Sequence, residues 1–141
     1  MRLWITLFLF LPLLRTYGQV SIVDTLQPNT KFENVHVKKL YSDSLSSSFI
    51  IWVKQGLKPH KHEWHTEQVT VFEGSGDFIL NGVSYQISKG SIISIPMGAI
   101  HSVTTTSEVP LKIRYDVPYG GPMICCVLFS LLYLQIDWLS V

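Results

Sequence analysis

Cysteine is nearly absent from this chain. Its 141 residues include only two, the neighbours Cys125 and Cys126, and adjacent cysteines rarely bridge each other because the geometry is strained. No disulfide framework is expected, and zinc-finger spacing is excluded with it. Charge is also scarce: Asp, Glu, Lys and Arg make up 15% of the residues, and the formal net charge is +1. With no basic stripe, nucleic-acid binding is not expected. Residues 35–118 carry no helical stripe, and no apolar run reaches the roughly 20 residues that span a bilayer comfortably. What is abundant is hydrophobic character, at 47%, which argues against a disordered chain. The length suits one domain with one core.

Part of that hydrophobicity sits at the two ends. Arg2 precedes an apolar run from Leu3 to Leu14, interrupted by Thr6 and Pro12, and Thr16-Tyr17-Gly18 offers a small residue before a cut that would leave Gln19 as the new terminus. Residues 1–18 therefore read as a signal peptide, and the protein as secreted or periplasmic. Cleavage would remove Arg2 and Arg15, so Lys+Arg falls from 11 to 9 against 10 acidic residues, a net charge of −1. Residues 19–34 form a polar lead-in. Residues 119–141 form an apolar tail in which Met123 to Leu134 is interrupted only by Ser130 and Tyr133. The tail fits a packed strand or helix, a short membrane anchor or a sequence artefact, and contact with a membrane is expected only if it anchors.

Between them the rhythm is β. Val35–Leu40 alternates weakly, and Ser48–Val53 is a β-branched and aromatic run suited to a buried strand. The polar, histidine-rich stretch from Gly56 to Thr66 is expected to begin as a loop. Strands follow at Gln68–Phe72, Asp77–Leu80, Val83–Ile87, Ser91–Ile95, Ser102–Thr106 and Leu111–Asp116. Asn81-Gly82 is a two-residue hairpin signal, because both residues accept positive φ. Short strands at close spacing indicate a sandwich or barrel. Val69 and Val71 share the parity of Glu67 and are expected inside as core packing. Phe72 is expected to face outward.

His60-Lys61-His62 places two imidazoles two residues apart. In an extended stretch both point to one face, with Cα atoms about 6.5 Å apart, and two imidazoles so placed can converge on an ion at roughly 2.1 Å each. Glu67 opens the next strand and can add an anionic oxygen. His101 follows the Pro96-Met97-Gly98 turn, which can deliver a fourth ligand from a distant strand. His65 is read as a loop histidine beside the site, with an acid–base or substitute-ligand role as the sharper alternative. His36 is left as an ordinary surface or core residue.

Pro59-His60-Lys61-His62, four residues, Glu67, six residues, Gly74 resembles the first motif of the cupins. Gly90, five residues, Pro96-Met97-Gly98, two residues, His101 resembles the second. Fifteen residues separate Gly74 from Gly90, the compact spacing of small microbial cupins. Two positions depart from the pattern. Gly56 precedes His60 with three intervening residues rather than five, and Thr105 stands where Asn is common.

The resemblance implies an all-β, single-domain jelly-roll (double-stranded β-helix) barrel of six to eight strands, here residues 35–118. It also implies a metal held by His60, His62, Glu67 and His101. That donor set suits Fe, Mn, Zn, Ni or Cu as a divalent ion and leaves coordination positions free for chemistry. Three neutral histidines, one carboxylate and a 2+ ion sum to +1, which favours an anionic or enolisable oxygen ligand.

The expectation is thus a secreted metal-dependent enzyme of the dioxygenase, decarboxylase or isomerase type acting on a small organic molecule. A non-catalytic metal-dependent module binding a small molecule or sugar is the second reading, and a structural cupin with a vestigial site the third. Arg114 and Tyr115 are candidate substrate contacts, with exposure or packing the blander role. An edge-strand homodimer is the expected assembly.

Overall fold

The computed structural model describes residues 18–118. Apart from Gly18, the expected signal peptide lies outside them, as does the tail 119–141 with Cys125 and Cys126. One 3-10 turn, Val23–Thr25, precedes nine strands: β1 Val35–Ser42, β2 Ser46–Val53, β3 Gly56–His60, β4 Glu67–Glu73, β5 Ser75–Leu80, β6 Val83–Ser88, β7 Ile92–Ile95, β8 His101–Thr105 and β9 Leu111–Pro118. They form a five-stranded sheet ordered β1-β2-β9-β4-β7 and a four-stranded sheet ordered β3-β8-β5-β6. All pairings are antiparallel. This is the jelly-roll barrel expected from the sequence, with nine strands rather than six to eight.

The additional strand is β3, where the sequence indicated a loop. Its polar composition is tolerated because it lies at an edge of its sheet and pairs only with β8. Gly56 makes that pairing feasible. A Cβ built there would lie 2.4 Å from the Val103 carbonyl oxygen, so only glycine lets the two backbones approach this closely. The glycine that departs from the motif spacing thus has its own structural duty. The Asn81-Gly82 hairpin forms as expected, with φ of 48° and 84°.

The core lies between the sheets and includes Phe49, Val53, Val69, Val71, Phe78 and Ile113. Half-buried Phe72 stands outside that cluster. Strand β2 does not alternate, because Ile50 and Trp52 are buried on its other face as well. On that outer face Trp52 is paired in register with Lys112, which is only 2% exposed. The Lys112 ammonium donates to the Val23 and Leu26 carbonyls at 2.7 and 2.9 Å and lies 5.7 Å from the Trp52 ring centroid. The lead-in is thereby tied across the outside of the five-stranded sheet.

Candidate metal centre

The site is assembled from both sheets. His60 closes β3 and stands directly opposite His101, the first residue of β8, with ring centroids 4.2 Å apart. Glu67 opens β4 in the other sheet, opposite Ile95 of β7. His62 lies in the irregular segment between β3 and β4, its ring 5.3 Å from those of both His60 and His101. One ring nitrogen from each of the three histidines lies within 4.8 Å of the others, a spacing from which they could reach one ion.

Backbone contacts hold the two motifs in place. The Gly98 amide donates to the His62 carbonyl at 2.8 Å, joining the Pro96-Met97-Gly98 turn to the His60–His62 segment. At the hairpin tip the Asn81 amide donates to the Ile100 carbonyl at 2.8 Å, and the Asn81 side-chain oxygen accepts from the Ile100 amide at 3.0 Å. His101 is therefore clamped from the residue before it. Sequence reasoning read Asn81 only as a turn former.

The tautomers are set by neighbouring carbonyls. His60 Nδ1 donates to the Lys58 carbonyl at 2.8 Å, and His101 Nδ1 donates to the Ala99 carbonyl at 3.0 Å. A carbonyl only accepts, so Nδ1 carries the proton and Nε2 of the neutral ring presents a lone pair. Buried Glu67 directs Oε2 to 3.0 Å from His62 Nε2 and 3.4 Å from His101 Nε2. Despite these short approaches, Oε2 of Glu67 and Nε2 of His101 are buried with no hydrogen-bond partner among the described residues.

Two buried acceptors facing each other repel unless a cation lies between them. A second proton on His101 would serve, and so would a metal ion. Without a metal, burial alone would raise the Glu67 carboxyl, but the adjoining His101 and His62 outweigh it and hold it at about 2. Burial would likewise push His101 down, yet Glu67 and the Ala99 carbonyl raise it overall. His60 is lowered, chiefly by burial and then by His101. The donor set fits a divalent transition ion: three imidazoles with free Nε2 or Nδ1 atoms and one ionised carboxylate.

His65 stands beside this group. Its ring stacks on His62 at 4.7 Å, and its Nε2 is 2.9 Å from the Tyr115 hydroxyl. Burial, followed by the neighbouring His62, lowers its pKa. Tyr115 is buried on β9, whereas Arg114 points outward to Asp116 and Ser48. Of these two candidates only Tyr115 faces the site. His36 packs between Phe32 and Trp52 and does not line the cavity that holds this group.

The four expected ligands and Tyr115 line one end of a cavity of about 90 Å³ between the sheets, open to solvent. Phe49, Ile51, Phe78 and Ile113 are among its apolar walls.

The family model described as "Cupin domain" matches residues 48–118. An uncharacterised protein of Aquifex aeolicus (strain VF5) is 34% identical over 90 residues, covering 63% of this chain and 74% of its own length. Several solved structures share the fold. KdgF from Halomonas sp. superposes with a TM-score of 0.62 at 18% identity, covering 77% of this chain and 100% of its own. An RmlC-like cupin from Shewanella frigidimarina NCIMB 400 does so at 0.60 and 14%, covering 75% and 95%. The polyketide cyclase RemF from Streptomyces resistomycificus reaches 0.60 and 20%, covering 75% and 82%. With the family match running through the strands that carry the histidine cluster, this chain belongs to the cupin family.

Proposed function

We propose that this cupin is a metal-dependent enzyme acting on a small organic molecule that offers anionic or enolisable oxygen. His60, His62, His101 and Glu67 would hold one divalent transition ion. The observation that carries the reading is the buried, unpartnered pair of Glu67 Oε2 and His101 Nε2 beside two further imidazoles. When bound, such an ion supplies Lewis-acid polarisation of a substrate oxygen and, if redox-active, electrons for oxygen chemistry.

The chain's own side chains supply the rest. The Lys58 and Ala99 carbonyls keep the His60 and His101 rings oriented with Nδ1 protonated. The apolar cavity walls exclude water and strengthen polar contacts made inside. Tyr115, hydrogen-bonded to His65, can hold a proton at its hydroxyl next to the reacting end. The leader pattern of residues 1–18 supports action after export, in a secreted or periplasmic setting.

Elemental analysis of purified protein, with and without His101→Ala, tests the proposal. One transition ion per chain is expected in the parent, and a loss of at least tenfold in metal affinity in the variant. Full metal stoichiometry and unchanged affinity in His101→Ala would refute the four-ligand site. Turnover or oxygen uptake on a panel of small oxo and hydroxy acids supports the enzyme. A bound ion with ligand binding and no turnover points instead to a binding module.

A further inference from the structure

We infer that the molecule accepted here has one oxygen-bearing head on an apolar alkyl or aryl body, and is not a polyhydroxylated sugar acid. This deepens the reading above and rests on it.

The cavity is two-ended in chemistry. Its polar lining consists of His60, His62, His101, Glu67, Tyr115 and Ser102. These belong to one neighbourhood: His62 and Tyr115 ring centroids are 6.3 Å apart, His60 faces His101, and Ser102 follows His101 in the chain. Every other lining residue is Val, Leu, Ile or Phe. Among the described residues no Lys, Arg, Asp, Asn or Gln lines it.

Two consequences follow. A chain of hydroxyl groups lying along the apolar walls would give up water and gain no partner, which is unfavourable for each group buried. An alkyl or aryl body would instead gain from every carbon withdrawn from water. Interiors are otherwise close-packed, with few voids larger than a water molecule. The cavity of about 90 Å³ behind a cluster of metal-competent groups is several times the space one water needs. With no basic clamp in the lining, an anionic head has only the metal end to neutralise it, which fixes the molecule's orientation: head at the histidines, body toward Val37 and Ile51.

Calorimetric titration of the metal-loaded protein with straight-chain 2-oxo acids, from pyruvate to 2-oxohexanoate, tests this with a constant head and a growing tail. Affinity should rise about threefold or more with each added methylene. 2-Ketogluconate, with the same number of carbons but hydroxylated, should bind at least tenfold more weakly than 2-oxohexanoate. Val37→Thr, which keeps the side-chain shape and adds a hydroxyl to the wall, should weaken 2-oxohexanoate about threefold and leave pyruvate unchanged. Affinity that is flat along the series, 2-ketogluconate binding as tightly as 2-oxohexanoate, or no binding of any member would overturn the inference. Metal content measured on the same sample separates the two readings: a bound ion with a flat series refutes only the apolar body, and absence of any bound ion refutes both.

Discussion

At the scale of single residues, the site turns on which ring nitrogens hold protons. His101 is raised in the metal-free protein because the Glu67 carboxylate faces it. A metal ion must displace that proton, whereas lowered His60 already offers a free nitrogen. Apparent metal affinity should therefore climb about tenfold per pH unit on the acid side of the His101 pKa and level off above it. Competition with a chelator between pH 5 and 8 reads this directly, and a pH-independent affinity would contradict the facing of Glu67 and His101. Glu67 acts in the other direction on stability. Its folded value of about 2 lies below its ordinary 4.5, so its contribution is complete above 4.5 and is lost as pH falls toward 2.

Much of this was legible in the sequence, because fixed spacings within the two motifs place His60, His62, Glu67 and His101 near one another once the strands are paired. The His65–Tyr115 contact was not. It joins residues 50 apart, and only the pairing of β9 with β4, which puts Tyr115 opposite Val69, brings them together. Lys112 was also illegible, since a lysine on the last strand reads as solvent-facing until something covers it.

At the scale of elements, β3 and the lead-in show how local sequence can mislead. Gly56 to Thr66 reads as starting in a loop because the stretch is polar and histidine-rich. An edge position requires hydrogen bonding on one side only, and Gly56 supplies the close approach to β8. Gly56→Ala should cost about 1–3 kcal/mol by overpacking, measured by urea unfolding. Because His60 and His101 face each other across the same pair of strands, it should also weaken metal binding, which most destabilising surface changes would not. Lys112→Met tests the lead-in: the Val23 and Leu26 carbonyls lose their donor, and the expected loss is about 1–3 kcal/mol. An unchanged unfolding midpoint would mean that the lead-in does not contribute to folding stability.

For the whole molecule, the positions of the strands other than β3 and of the Asn81-Gly82 hairpin followed from alternation and turn residues, but their arrangement in the two sheets did not. Strand order is set by long-range pairings such as β2 with β9, and nothing local in either strand announces the other. The core between the sheets is apolar and incomplete, since part of the space is cavity. Such a barrel depends more than a filled one on what occupies it, and it should be stabilised by a metal in proportion to the logarithm of ion excess over Kd, about 2.7 kcal/mol at a hundredfold. Chelation followed by a thermal melt should lower the midpoint, and restoring the ion should return it.

The donors are not all on one layer. Glu67 belongs to the five-stranded sheet, and His60 and His101 belong to the four-stranded one. An ion seated among them would work as a rivet through two plates, so its departure should loosen β3 and β8 against β4 before either sheet frays internally. Amide hydrogen exchange would register that loosening as faster exchange concentrated at this mouth of the barrel, with the opposite rim little changed.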